Sequence, residues 1–140
     1  MDLSQKSNTK PLSTRLSLQL PSILLIEDDI SMRSMMIDFF TQKKFTLSAA
    51  SNGSEALKLI QGKRFDLVIT DIIMDNQDGL EVIRVIKNSY PEIKVIAISG
   101  GGKLSAEIYL KIASLLGAIS IFQKPFSMND LFNEIGNIFH

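Results

Sequence analysis

The spacing of apolar residues changes repeatedly along the chain, and each change marks a different predicted element. Short, nearly continuous apolar runs alternate with stretches whose apolar positions recur every three or four residues. "SILLIE", residues 22 to 27, predicts a strand, and "ISMRSMMIDFFTQKK", residues 30 to 44, predicts a helix with Met32, Met35, Met36, Phe39 and Phe40 on its apolar face. "FTLSAA", residues 45 to 50, predicts a less apolar strand, and "SEALKLIQG", residues 54 to 62, a short helix ended by Gly62. "FDLVITD", residues 65 to 71, predicts a buried strand, and "LEVIRVIKNSY", residues 80 to 90, a helix stopped before Pro91. "KVIAIS", residues 94 to 99, predicts a strand, and "SAEIYLKIASLLG", residues 105 to 117, a helix ending at Gly117. "AISIFQ", residues 118 to 123, predicts the last strand. "SMNDLFNEIGNIF", residues 127 to 139, predicts the last helix, with Ser127 and Asp130 spaced as a capping pair.

These are five strand–helix units. Strands that are apolar almost throughout belong to a sheet buried on both faces, hence a parallel sheet with helices on either side. The helix from residue 105 offers two apolar stripes. Ile108, Ile112 and Leu115 are expected to face the core, leaving Tyr109, Ala113 and Leu116 as spare apolar surface. On the last helix Leu131, Ile135 and Ile138 are expected inward, with Met128, Phe132 and Phe139 near the flank. Residues 1 to 21 are polar, rich in Ser, Thr, Lys and Gln, and carry two prolines; they predict a flexible tail ahead of one domain over residues 22 to 140. A short amphipathic element around Leu16, Leu18 and Leu20 is the only structure that the tail's pattern offers.

Composition narrows the class. A chain of 140 residues, 45% hydrophobic and 21% charged, suits one domain with a sizeable core. The formal net charge is zero, so no overall attraction to nucleic acid or an anionic membrane is built in. No apolar run reaches the roughly 18 residues of a membrane span, and the N-terminus has no signal-peptide core. Without cysteine there is no disulfide or thiolate chemistry. Cytoplasm is the default location.

Ligands of such sheets bind beyond the C-terminal ends of the strands. Glu27, Asp28 and Asp29 follow the first strand, Asp71 ends the third, Ser99 ends the fourth, and Lys124-Pro125 precedes the last helix. With strands one and three as neighbours, Glu27, Asp28 and Asp71 meet in one pocket, with Ser99 and Lys124 on its other side. Three acids together need raised pKa values or a cation. A hard divalent ion, Mg²⁺ first, suits carboxylates with a backbone carbonyl and waters. A lysine and a hydroxyl facing that ion suit a phosphoryl group.

"LLIEDD", "LVITDIIM…DG", "AIS" and "KPF" occur here in the order and spacing of the receiver domains of two-component response regulators, which residues 22 to 140 resemble. The resemblance implies a flavodoxin-like (βα)5 doubly wound α/β fold with strand order 2-1-3-4-5. It implies Asp71 as phosphoacceptor, Asp28 as direct Mg²⁺ ligand, Glu27 as a ligand through water and the Ile73 backbone carbonyl as a further ligand. It implies Ser99 as switch hydroxyl, Lys124 as the cation bridging to the phosphoryl group, and a cis bond at Lys124-Pro125. The implied partners are a histidine kinase or histidine phosphotransfer protein upstream and a protein target downstream, without direct nucleic-acid or membrane binding, in a monomer or weak dimer. Such a domain takes part in its own phosphorylation but is not an enzyme turning over an outside substrate.

Two positions depart from the family pattern. Asp75 stands where proline is frequent, and Ile121 stands where a Tyr or Phe usually reports activation. A rotating aromatic switch is therefore absent, and Phe122 is expected to face the other side of its strand. Other readings fare less well. A metal-dependent phosphohydrolase with an aspartate nucleophile would carry a second acid where Ile73 stands. A flavodoxin would not place "EDD" against its cofactor phosphate. "GGGK", residues 100 to 103, lacks the flanking residues of a phosphate loop and reads as a flexible loop beside Ser99. Asp29 reads as a helix cap, Asp75 and Asp78 as loop residues, and the lone His140 as incidental. A receiver excised from a larger regulator or hybrid kinase is the remaining alternative.

Overall fold

The structure is a computed structural model that describes residues 20–74, 79–100 and 105–140. Its strands are β1 (Ser22–Ile26), β2 (Thr46–Ala50), β3 (Leu67–Asp71), β4 (Lys94–Ser99) and β5 (Ser120–Gln123). The helices between and after them are α1 (Ile30–Gln42), α2 (Gly53–Gly62), α3 (Gly79–Ser89), α4 (Ala106–Leu115) and α5 (Met128–Phe139). All strand pairs are parallel, and the sheet order is β2-β1-β3-β4-β5. This is the doubly wound flavodoxin-like order that the sequence resemblance implies. The expected N-terminal tail and its amphipathic element lie almost wholly outside the described residues.

The period-two alternation of the strands divides the core into two layers. Leu24, Ile26, Val68, Val95 and Ala97 face the layer covered by α2, α3 and α4, through Ala56, Ile60, Val82, Ile83, Ile86, Leu110 and Ala113. Ile23, Leu25, Leu67, Ile69, Ile96 and Ile98 face α1 and α5, through Met36, Phe40, Leu131 and Ile135. Phe39, Phe40, Phe45 and Phe132 meet edge to face, with ring centroids 5.4–6.3 Å apart, and tie α1 to α5.

Local chemistry fixes where the helices start. The Asp29 carboxylate accepts the Met32 N–H at 2.7 Å, as expected of a cap. Asn52 accepts the Glu55 N–H while the Glu55 carboxylate accepts the Ser51 N–H, both at 2.9 Å. Ser127 accepts the N–H groups of Asn129 and Asp130, the hydroxyl half of the expected capping pair.

Two expectations about helix faces are corrected. On α4 the buried line runs through Leu110 and Ala113, with Tyr109 and Leu116 partly buried against the same layer. Ile108 is 47% exposed and Leu115 79% exposed, so they form the outer stripe. The chosen stripe is centred on a small residue, Ala113, which lets the helix approach β4 and β5 closely. On α1, Met35 and Ile30 are exposed, Met36 and Phe40 are fully buried, and Met32, Ile37 and Phe39 pack partly buried against the same layer. The last helix behaves as expected, with Leu131 and Ile135 buried and Ile138 partly so. Phe122 packs inward while Ile121 is exposed on the edge strand. No described helix is long and apolar enough to cross a membrane.

Candidate functional site

The C-terminal edge of the sheet is where strand geometry delivers acidic side chains. The ladder of β1 runs one residue past the strand, because the Glu27 N–H donates to the Ala50 carbonyl at 3.0 Å. This holds Glu27 at the sheet edge, where it is only 1% exposed. Asp28 follows, half-buried, and Asp29 turns the chain into α1 while its N–H donates to Glu27 Oε2 at 3.2 Å. The neighbouring strand β3 ends on Asp71, 5% exposed. Glu27, Asp28 and Asp71 each offer one carboxylate oxygen within 4.8 Å of the others. The pairing of β1 with β3 thus brings together the three acids that the sequence placed at neighbouring strand ends.

The cation comes from across the sheet. The Lys124 N–H donates to the Ser99 carbonyl at 2.9 Å, fixing the chain after β5 against the end of β4. The Lys124 side chain then reaches back, with Nζ 2.8 Å from Asp71 Oδ2 and 3.2 Å from Glu27 Oε1. The peptide bond between Lys124 and Pro125 is cis. Ser99 is fully buried at the end of β4. The Ile73 N–H donates to Asp71 Oδ1 at 3.0 Å, so both oxygens of Asp71 are held from different sides. Asp75 and Asp78, and the loop from residue 101 to 103, lie outside the described residues.

The electrostatics favour a cation. Burial, reinforced by the charge of Asp71, pushes the Glu27 carboxyl up to about 7. Burial works to lower the Lys124 pKa, but its hydrogen bond to Asp71 and the charges of Asp71 and Glu27 outweigh this and raise it. Three carboxylates face one ammonium, so ionising all three leaves negative charge in excess. A hard divalent ion with oxygen ligands answers that excess, and the donor set fits Mg²⁺.

Three residues that the sequence reading did not assign to the site prove to shape it. A Cβ on Gly79 would stand 2.4 Å from Ile72 Cα and 2.5 Å from the Asp71 carbonyl oxygen, so only glycine allows α3 to start against the C-terminal end of β3. A Cβ on Gly100 would stand 3.2 Å from Lys124 Cδ, so its lack of a side chain leaves room for the lysine stem. The Arg33 Nη1 donates to the Glu27 carbonyl at 2.9 Å. The glycines were visible in "DG" and "GGGK", but nothing in the sequence said which backbone or side chain would approach them.

Comparison with known proteins agrees with this geometry. The family model of the response regulator receiver domain matches residues 23–136. A putative response regulator, NtrX-like, from Rickettsia typhi is 34% identical over 111 residues, covering 78% of this chain and 23% of the relative. The chain therefore spans about a quarter of that relative's length. The response regulator receiver protein CpdR from Brucella abortus is 31% identical over 113 residues, 81% of this chain and 92% of the relative. Among solved structures, the response regulator TrrA from Thermotoga maritima, in complex with Mg²⁺ and BeF, superposes with a TM-score of 0.74 at 25% identity, covering 85% of this chain and 99% of that one. Fold, strand-end chemistry and sequence similarity converge: this chain belongs to the response regulator receiver domain family of two-component signalling.

Proposed function

We propose that this receiver domain takes a phosphoryl group onto Asp71 from the phosphohistidine of a histidine kinase or phosphotransfer protein, with Mg²⁺ held by Glu27, Asp28, Asp71 and the Ile73 carbonyl. The observation that carries the reading is the junction of three carboxylates within 4.8 Å with a lysine bridging two of them. It supports a reading in which a nucleophile, a set of metal ligands and an anion-binding cation act around one point.

A carboxylate oxygen of Asp71 attacks phosphorus as the bond from phosphorus to the donor imidazole breaks, and the imidazole leaves with the electron pair of that bond. Bound Mg²⁺ supplies a Lewis acid for charge on the phosphoryl oxygens. Lys124 moves from the Asp71 carboxylate to a phosphoryl oxygen, and the Ser99 hydroxyl donates to another. Burial of Asp71 limits the water that reaches the acyl phosphate, and hydrolysis by a water molecule later returns the free carboxylate. The domain turns over only its own phosphoaspartate, acts in the cytoplasm, and passes its state on by protein contact. The exposed apolar residues Ile108, Leu115, Ile119 and Ile121 mark the face for that contact.

A small phosphodonor such as acetyl phosphate tests the reading. Intact mass should show one added phosphoryl group, dependent on Mg²⁺ and absent from Asp71→Asn. Asp28→Ala should lose the Mg²⁺ dependence together with most of the modification. Normal phosphorylation of Asp28→Ala would refute the metal assignment.

A further inference from the structure

Arg33 is out of place by two electrostatic measures. It occupies the fourth position of α1, within the first turn or so of a helix whose N-terminus carries partial positive charge. It also stands one hydrogen bond away from a cluster that is to hold a divalent cation. The helix terminus and a bound divalent cation both disfavour a guanidinium there, whereas the metal-free carboxylates attract it. The one carboxylate on that terminus is the cap, Asp29, and it is engaged by the Met32 N–H.

What Arg33 does make is the 2.9 Å hydrogen bond from Nη1 to the Glu27 carbonyl. That carbonyl belongs to the peptide group joining Glu27 to Asp28. A peptide group is planar, so holding its oxygen fixes the plane and with it ψ of Glu27 and φ of Asp28. These are the torsions that aim both acids. The Glu27 N–H is already held by Ala50, and Glu27 Oε2 by the Asp29 N–H. The carbonyl bond from Arg33 completes the fixation on the side that faces α1.

We infer that Arg33 is a positioning residue: by clamping the Glu27–Asp28 peptide through its carbonyl it pre-orients two metal-binding carboxylates. The inference rests on the reading of Glu27, Asp28 and Asp71 as the Mg²⁺ site. It has a definite sign. If charge alone mattered, removing the guanidinium would tighten Mg²⁺ binding. A positioning role means that removing it weakens binding, as loss of an outer support to metal ligands generally does, by about tenfold or more.

The test is calorimetric Mg²⁺ titration of the full chain, comparing wild type, Arg33→Met and Arg33→Lys, with thermal unfolding and amide exchange at residues 27 to 29 in parallel. Arg33→Met should bind Mg²⁺ about tenfold more weakly or worse, and its amides at 27 to 29 should exchange faster without metal. Arg33→Lys keeps the charge but not the planar, longer-reaching fork, and should be weakened at least about twofold on the same grounds. If Arg33→Met does not fold, the lysine variant decides alone. Mg²⁺ affinity unchanged or tightened in Arg33→Met, or unchanged in Arg33→Lys, overturns the assignment, even if the melting temperature falls. If wild type binds no Mg²⁺ at all, the reading of the acidic site fails, and this inference fails with it; if only the Arg33 variants behave like wild type, the site stands and the inference alone falls.

Discussion

Glu27 shows how a single buried side chain ties metal binding to stability. Its carboxyl is raised to about 7 from an ordinary value of 4.5, first by burial and then by the Asp71 charge. The folded state therefore prefers the neutral acid. Its favourable contribution is full below pH 4.5, shrinks as pH rises, and is gone above 7. Metal-free protein should lose on the order of 3 kcal/mol from this group between pH 4.5 and 8. Urea unfolding of wild type and Glu27→Gln at those two pH values, with and without Mg²⁺, checks this. The slope should be smaller in the glutamine variant and smaller in wild type with saturating Mg²⁺. Apparent Mg²⁺ affinity should rise with pH up to about 7 and then level off. Equal pH slopes in the two proteins would show that Glu27 is not held near neutrality. At this scale the sequence was informative about identity and less so about support. Glu27, Asp28, Asp71, Ser99 and Lys124 could be picked out because carboxylates and a lysine at strand ends are costly without a purpose. Arg33, Gly79 and Gly100 could not, because what matters about them is which neighbour they approach: backbone for Arg33 and Gly79, the Lys124 stem for Gly100.

Elements were legible where one period dominated. The five strands and five helices lie within a few residues of their predicted spans, because short continuous apolar runs and three-to-four spacing are distinct patterns with turn residues between them. α4 was misread where the pattern itself was degenerate. It carries two apolar stripes, and tertiary packing chose the one through Leu110 and Ala113, leaving Ile108 and Leu115 outside. The join between β3 and α3 was opaque for a different reason: Gly79 lies against the end of β3, where its N–H donates to the Ile72 carbonyl at 3.1 Å. Both close neighbours of a Cβ at Gly79 are backbone atoms, which cannot swing away. Gly79→Ala should cost about 1–3 kcal/mol, the range of overpacked sites, and should slow phosphorylation by displacing Asp71. Chemical denaturation and phosphodonor kinetics on the same samples check it. A variant with unchanged stability would contradict the close approach seen here.

For the whole molecule, one edge of the sheet carries the acidic cluster with Lys124, while α4 and β5 carry exposed apolar residues. Ser99 and Lys124 connect the two: Ser99 ends β4, and Lys124 follows β5, the strand that bears the exposed Ile121. Without an aromatic at position 121, coupling between site and face is expected to be modest, about 1–2 kcal/mol. Amide exchange with and without beryllofluoride should therefore show large changes near Asp71 and changes of roughly fivefold across residues 105 to 139. Unchanged protection there would mean that the signal leaves by another surface. The central claim, that Asp71 receives the phosphoryl group, is tested most directly by chemical trapping. After reaction with acetyl phosphate and Mg²⁺, borohydride reduces an aspartyl phosphate to homoserine, and peptide sequencing by mass spectrometry locates it. Homoserine at position 71 and at no other aspartate is the predicted result; an unmodified Asp71, or homoserine at Asp28 or Asp29 instead, would contradict the account.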